Sequence, residues 1–126
     1  MTRIPVAKLG RLGENRAAWH YRLRGYRILG RNVRMGRGEI DLVVRRGKTV
    51  AFVEVKTRQR LGAGEGFESV DHRKEKQLAD LADCYLSRHD LSDCEIRFDI
   101  VSLLWTGRWF RVTCFRDAFR IYDDWR

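Results

Sequence analysis

Apolar positions in the first part of the chain recur at helical intervals. Ala17 and Ala18 fall four and three residues before Tyr21, which predicts a helix from about Gly10 to Arg24, with Gly25 as its C-terminal stop. The pattern then changes to extended runs, Tyr26 to Val33, Glu39 to Arg46 and Val50 to Thr57. Met35-Gly36-Arg37-Gly38 reads as a turn, and Arg46-Gly47-Lys48 as a hairpin connection. A glycine-rich loop, Leu61 to Gly66, precedes a second helical stripe of Leu78, Leu81, Ala82 and Tyr85, which predicts a helix from about Ser69 to Ser87. Ile96, Phe98 and Ile100 alternate with Arg97, Asp99 and Val101 in a further strand to Leu104. Trp109 to Phe115 pairs with it through Thr106-Gly107-Arg108, and the tail from Asp117 to Arg126 is expected to hold a short helical turn. The order α-β-β-β-α-β-β indicates an α/β or α+β layer structure.

With 126 residues, no internal repeat and a single proline, Pro5, the chain reads as one domain over residues 1–126. An apolar share of 44% with four tryptophans supports a packed core rather than a disordered segment. Charge changes the picture most. Lys and Arg number 26 against 17 Asp and Glu, a net charge of +9, and such a surplus draws polyanions. The excess is mostly arginine, whose planar fork suits phosphate oxygens, so nucleic acid is the first partner to expect, against the plainer reading of a generally basic protein. A membrane partner is not expected: no stretch is long and apolar enough to span a bilayer, and no basic helix carries a broad apolar face. The N-terminus lacks the apolar core of a secretory signal, so a cytoplasmic location is expected. Cys84, Cys94 and Cys114 are odd in number and widely spaced, which makes them small apolar residues rather than a disulfide framework.

Chemistry enters at Phe52-Val53-Glu54-Val55-Lys56. The run is apolar on both faces, like a central strand covered on both sides, yet it carries an acid and a lysine two residues apart and so on one face. Burying either charge alone is costly. The preceding strand is again largely apolar and again interrupted by one acid, Asp41. If the two strands form a hairpin, Asp41 and Glu54 approach each other, and a hard divalent cation with oxygen ligands relieves their repulsion. Lys56 beside them could orient or help deprotonate an attacking water, or steady a phosphate. An internal ion pair that only fixes strand register is the alternative. Glu14 lies three, four and seven residues before Ala17, Ala18 and Tyr21, on the apolar stripe of the first helix. A carboxylate favoured near a helix N-terminus explains its place along the helix but not its face.

These residues carry a family resemblance. Gly13-Glu14-Asn15 with Ala17, Gly25 to Leu29, Asn32, Gly38-Glu39-Ile40-Asp41-Leu42 and Phe52 to Arg58 resemble the bacterial YraN-like family within the PD-(D/E)XK, restriction-endonuclease-like nuclease superfamily. So do Val70, Lys74, Lys76-Gln77, Tyr85-Leu86, Arg97-Phe98-Asp99 and Ala118-Phe119. Ile40 stands where the superfamily's nominal motif has proline. The resemblance implies an α/β fold with a central mixed sheet flanked by helices, and a Mg2+ or Mn2+ site. By analogy with archaeal Holliday junction resolvases, it implies a catalytic set of Glu14, Asp41, Glu54 and Lys56, with metal ligands Asp41, Glu54 and the carbonyl of Val55. It implies an endonuclease acting on DNA, with branched or damaged DNA as substrate. A homodimer would suit paired cuts across a junction. The reading from a different class is a nucleic-acid-binding scaffold that keeps the fold and does not cut.

Other positions rank lower. Glu39 shares a strand face with Asp41 and could bind a second metal, though its place after a turn favours solvation. Arg58 and Arg60 are placed to meet backbone phosphates, and Lys76 and Gln77 on the second helix could do the same. Gly62 to Gly66 lacks the ending of a P-loop and reads as a loop that closes over substrate. Asp99 reads as a surface acid that sets register. Trp19 and His20 could stack on bases, but as aromatics near a helix stripe they are expected in the core, and Trp105, Trp109 and Trp125 are expected to pack.

Overall fold

The computed structural model describes residues 4–36, 38–59, 72–91 and 93–119. Its elements are α1 (Val6–Arg22), β1 (Arg27–Met35), β2 (Gly38–Arg46), β3 (Thr49–Gln59), α2 (His72–Arg88), β4 (Glu95–Trp105) and β5 (Phe110–Phe119). Types and order follow the hydrophobic pattern. α1 begins a turn earlier than expected. Pro5 suits a helix start because it has no N–H to leave unpaired, and its carbonyl accepts the Leu9 N–H at 2.9 Å. At the other end the Tyr26 N–H reaches the Tyr21 carbonyl at 3.0 Å and the Gly25 N–H reaches Arg22 at 3.1 Å. This Schellman closure needs a left-handed residue, and Gly25 supplies φ +87°.

The five strands lie in the sheet in chain order. Neighbours are antiparallel except β3 and β4, which run parallel with α2 between them in sequence, so the sheet is mixed. One face is covered by α1, where Ala17, Ala18 and Tyr21 meet Leu42, Val44, Ala51, Val53, Val101 and Leu103. The other is covered by α2, where Leu78, Ala82, Tyr85 and Leu86 meet Ile40, Val43, Val50, Phe52, Phe98 and Ile100. Each large apolar side chain so buried contributes ~1.5–3 kcal/mol. β3 has a helix over both faces, which explains its unbroken apolar start. No helix among the described residues is long and apolar enough to cross a membrane.

One irregularity positions the site. Ile40 packs into the α2-side core and Leu42 into the α1-side core, although residues two apart in a regular strand share a face. β2 therefore changes face at Asp41. In β1 the position between the pairs Arg31↔Leu42 and Val33↔Ile40 is Asn32, which adopts φ +50°.

Three expectations are corrected. Asp99 is not a surface acid: it is 1% exposed. It accepts the Tyr21 hydroxyl at 2.7 Å, two Arg97 N–H groups at 2.9 Å each and the Asp117 N–H at 2.9 Å. The side of β4 that alternation marks as polar lies beneath α1, so its charges must pair. The last of those bonds holds a register shift in β5, opposite the step from Phe98 to Ile100. Asp117 to Phe119 thus belong to β5, which runs past the strand end expected at Phe115; the rest of the tail expected to hold a helical turn, residues 120–126, lies outside the described residues. Finally, Trp19 is 54% exposed with the Arg22 guanidinium 5.2 Å from its ring, and Trp109 is 60% exposed, so neither is core. His20 is buried, and Trp105 packs on Phe110 at 5.0 Å between ring centres. The three cysteines are free and half-buried. Arg60, Gly62 to Gly66, the start expected for the second helix and Trp125 lie outside the described residues.

Candidate metal centre

The β2–β3 ladder runs from Arg46↔Thr49 to Leu42↔Val53 and ends there, while β3 stays paired to β4 as far as Gln59↔Trp105. Asp41 is the next residue of β2. Its Oδ2 accepts the Val55 N–H at 2.8 Å, so a carboxylate takes the place of a backbone partner where the strands part. N–H and C=O of one residue leave an extended strand on the same side, which directs the Val55 carbonyl to the edge that Asp41 occupies.

A cleft opens at this fork. Gly38, Glu39, Asp41, Glu54, Gln77, Leu78 and Leu81 line about 260 Å³, against the ~10–15 Å³ that a single water requires. Asp41 is shielded from bulk solvent there, and its carboxyl pKa is pushed up to about 7. Burial is the main cause. The Val55 N–H works the other way by favouring the charged form, and the negative charges of Glu54, Glu14 and Glu39 raise the value further. Three further acids thus act on Asp41, and a divalent cation relieves repulsion of that kind.

Each acid arrives by a different route. Glu54 comes from β3, on the face that carries Phe52. Glu14 sits mid-helix in α1, not at the helix start; the cleft's described lining does not include it, and it reaches Asp41 through its charge. Gly13 lets α1 close on β3: a Cβ there would overlap the Thr57 hydroxyl oxygen. The Asn32 side-chain amide then donates to Glu14 Oε1 at 2.9 Å, and the neighbouring Arg31 donates to Asn15 Oδ1 at 2.6 Å. Glu39 is exposed, with Arg34 at 3.9 Å, in keeping with a solvated acid.

The basic and amide positions divide. Gln77 lines the cleft with the acids. Lys56 is half-buried on the Glu54 side of β3, level with Ser102 of β4, and the cleft's described lining does not include it. Arg58 follows it, half-buried and level with Leu104. Lys76 is exposed on α2. Among the described residues no three His, Cys, Asp or Glu side chains form a ready metal cage. Asp41 and Glu54 line the cleft, and with the Val55 carbonyl they are hard oxygen donors, the type that Mg2+ or Mn2+ takes in preference to the nitrogen and sulfur donors of zinc. The sequence marks Asn32 and Gly38 only as family-like positions and Leu81 only as helix core, and does not place them at the site. A polar Asn interrupting a strand pattern was the available signal for the first. Gly38 and Leu81 touch across the cleft floor, where a Cβ on Gly38 would overlap the Leu81 side chain.

The uncharacterised protein family UPF0102 matches the chain over residues 13–103. The UPF0102 protein of Chlorobaculum tepidum is 44% identical over 96 residues, covering 76% of this chain and 74% of its own. That of Syntrophotalea carbinolica is 38% identical over 117 residues, covering 93% and 94%. The chain belongs to the UPF0102 family. Among solved structures, Pyrococcus furiosus SfsA in complex with Ca2+ aligns over 88% of this chain and 63% of its own, at 18% identity and a TM-score of 0.38, a likeness too slight to carry an argument.

Proposed function

We propose that the chain is a metal-dependent endonuclease of the PD-(D/E)XK kind, cutting DNA phosphodiester bonds on branched or damaged DNA. The observation that carries this reading is Asp41: a shielded carboxylate in an acidic cleft, bonded to the Val55 N–H at the open edge of β3. Asp41, Glu54 and the Val55 carbonyl would hold Mg2+ or Mn2+, which when bound activates water and offsets charge on the scissile phosphate. Glu14, outside the cleft's described lining, adds negative charge that reaches Asp41. Gln77 offers an amide to a phosphate oxygen in the cleft. Lys56 and Arg58 supply cations along the strand leaving it, and the net charge of +9 favours a polyanion throughout. Pairing of two chains would suit cuts on both strands of a junction.

Two observations favour a second reading, a DNA-binding scaffold that does not cut: the described carboxylates do not close into a cage, and the cleft's described lining lacks Lys56. The readings separate on a panel of duplex, single-stranded, flap and four-way-junction DNA, with Mg2+ or Mn2+, over a range of salt. Both predict binding that weakens steeply with salt as phosphates shed counterions. Only the first predicts metal-dependent cutting. Binding without cutting in either metal supports the scaffold, and no binding at low salt removes both.

A further inference from the structure

We infer that Asn32 is a positioning residue for the metal centre, fixing the Glu14 carboxylate by a hydrogen bond that a left-handed asparagine at this point of β1 supplies. The inference rests on the metal-site reading above and names a residue that reading does not use.

Asn32 adopts φ +50° within a strand. Residues with a Cβ seldom take that conformation. Asparagine bears it better than most, and glycine bears it with least strain. If the position served the backbone alone, glycine would serve it best, so what asparagine adds is its side-chain amide. That amide is in use: Nδ2 donates to Glu14 Oε1 at 2.9 Å across 18 residues of sequence. The turn of Asn32 also coincides with the point where the β1–β2 ribbon changes face, across from Asp41. One backbone event therefore sets both carboxylates: it swings Asp41 to the open edge of β3 and presents an amide to Glu14.

Arg31 shows that the contact is a latch rather than a chance meeting. It bonds Asn15 at 2.6 Å, so two consecutive residues of β1 grip two consecutive residues of α1. The Arg31 bond joins helix to strand without touching an acid. The Asn32 bond falls on an acid whose charge reaches Asp41, and it fixes one carboxylate oxygen while the amide, being a donor, leaves the charge in place.

The test is Mn2+ calorimetry on the native chain, Asn32→Gly, Glu14→Gln and the double variant, with thermal melting alongside. Asn32→Gly keeps the left-handed backbone and loses only the amide. Melting should stay near native while Mn2+ affinity falls roughly 10-fold, the scale on which groups that orient metal ligands act. In the Glu14→Gln background the same change should have little further effect. Native affinity in Asn32→Gly overturns the inference, as does an equal loss with and without Glu14. If the native chain takes up no Mn2+, the metal-site reading itself fails and this inference with it, an outcome distinct from either of those.

Discussion

Asp41 Oδ2 accepts the Val55 N–H at 2.8 Å, one residue beyond the last backbone pair of the β2–β3 ladder, Leu42↔Val53. A side chain thus finishes what the backbone began. The bond leaves an acid inside a cleft whose other charges are mostly negative, and the consequences are measurable.

Metal uptake should compete with a proton. The Asp41 carboxyl pKa is pushed up to about 7, chiefly by burial and then by Glu54, Glu14 and Glu39. Only its ionised form binds a cation. Mn2+ affinity should therefore climb about tenfold per pH unit below 7 and level off above it, since one proton leaves for each ion bound. Asp41→Ala should lower affinity by at least ~10–100-fold and remove the pH dependence. Equal calorimetric affinity in native and variant would place any ion elsewhere.

The metal-free protein should lose stability as pH rises. The folded value of about 7 stands above the ordinary value of 3.8. Between these the folded chain keeps a proton that the unfolded chain has released, so stability is complete below about pH 4 and drains away up to about pH 7. Asp41 keeps some contact with solvent, so the total is on the order of 1–3 kcal/mol rather than the full linkage value. In urea unfolding, Asp41→Asn should flatten this slope and be more stable than native at pH 8, and Mn2+ should restore the native chain there. A native curve parallel to that of Asp41→Asn would refute the buried acid.

Gly13 should resist even a methyl group. Alanine ordinarily favours a helix over glycine by ~1 kcal/mol, but here its Cβ would overlap the Thr57 hydroxyl oxygen. Gly13→Ala should destabilise by ~1–3 kcal/mol and weaken Mn2+ binding, because Glu14 moves with the helix. Adding Thr57→Ala should recover most of both. Failure of the second change to rescue would show that α1 is not seated on β3 at this point.

Asp99 makes the opposite prediction. Removing it leaves the Arg97 guanidinium and the Tyr21 hydroxyl without their shared acceptor, at a cost of ~3–5 kcal/mol. Asp99→Ala should lower the melting temperature sharply yet bind Mn2+ with native affinity wherever it remains folded. A loss of affinity in the folded variant would mean that the two polar clusters are coupled.

The sequence is most legible where charge interrupts an apolar run: Asp41 in β2 and Glu54 in β3 stand out there, and the structure places both on one cleft. Lys56 stands out by the same pattern, but the cleft's described lining does not include it. Glu14 is legible from its helix face. Asp99 is not, because alternation tells which residues share a face but not whether a helix lies over it, and α1 does. Trp19 sits one position off the α1 stripe and is exposed, which an aromatic count alone does not reveal. Asn32 is beyond sequence reach as a partner of Glu14: the contact depends on a left-handed residue in a strand and on two segments 18 residues apart. The meeting of Gly38 with Leu81 likewise depends on how closely α2 approaches β2, which no periodicity reports.

The most direct measurement is hydrolysis of end-labelled four-way-junction and flap DNA by the native chain, Glu54→Gln and Lys56→Ala, each with and without Mn2+. The native chain should cut strands only when the metal is present. Glu54→Gln should lose cutting together with Mn2+ affinity. Lys56→Ala should lose cutting while keeping most DNA binding, since one positive charge of a net +9 is removed. DNA bound but uncut by the native chain in either metal, or cutting that survives Glu54→Gln and Lys56→Ala combined, would contradict the endonuclease reading.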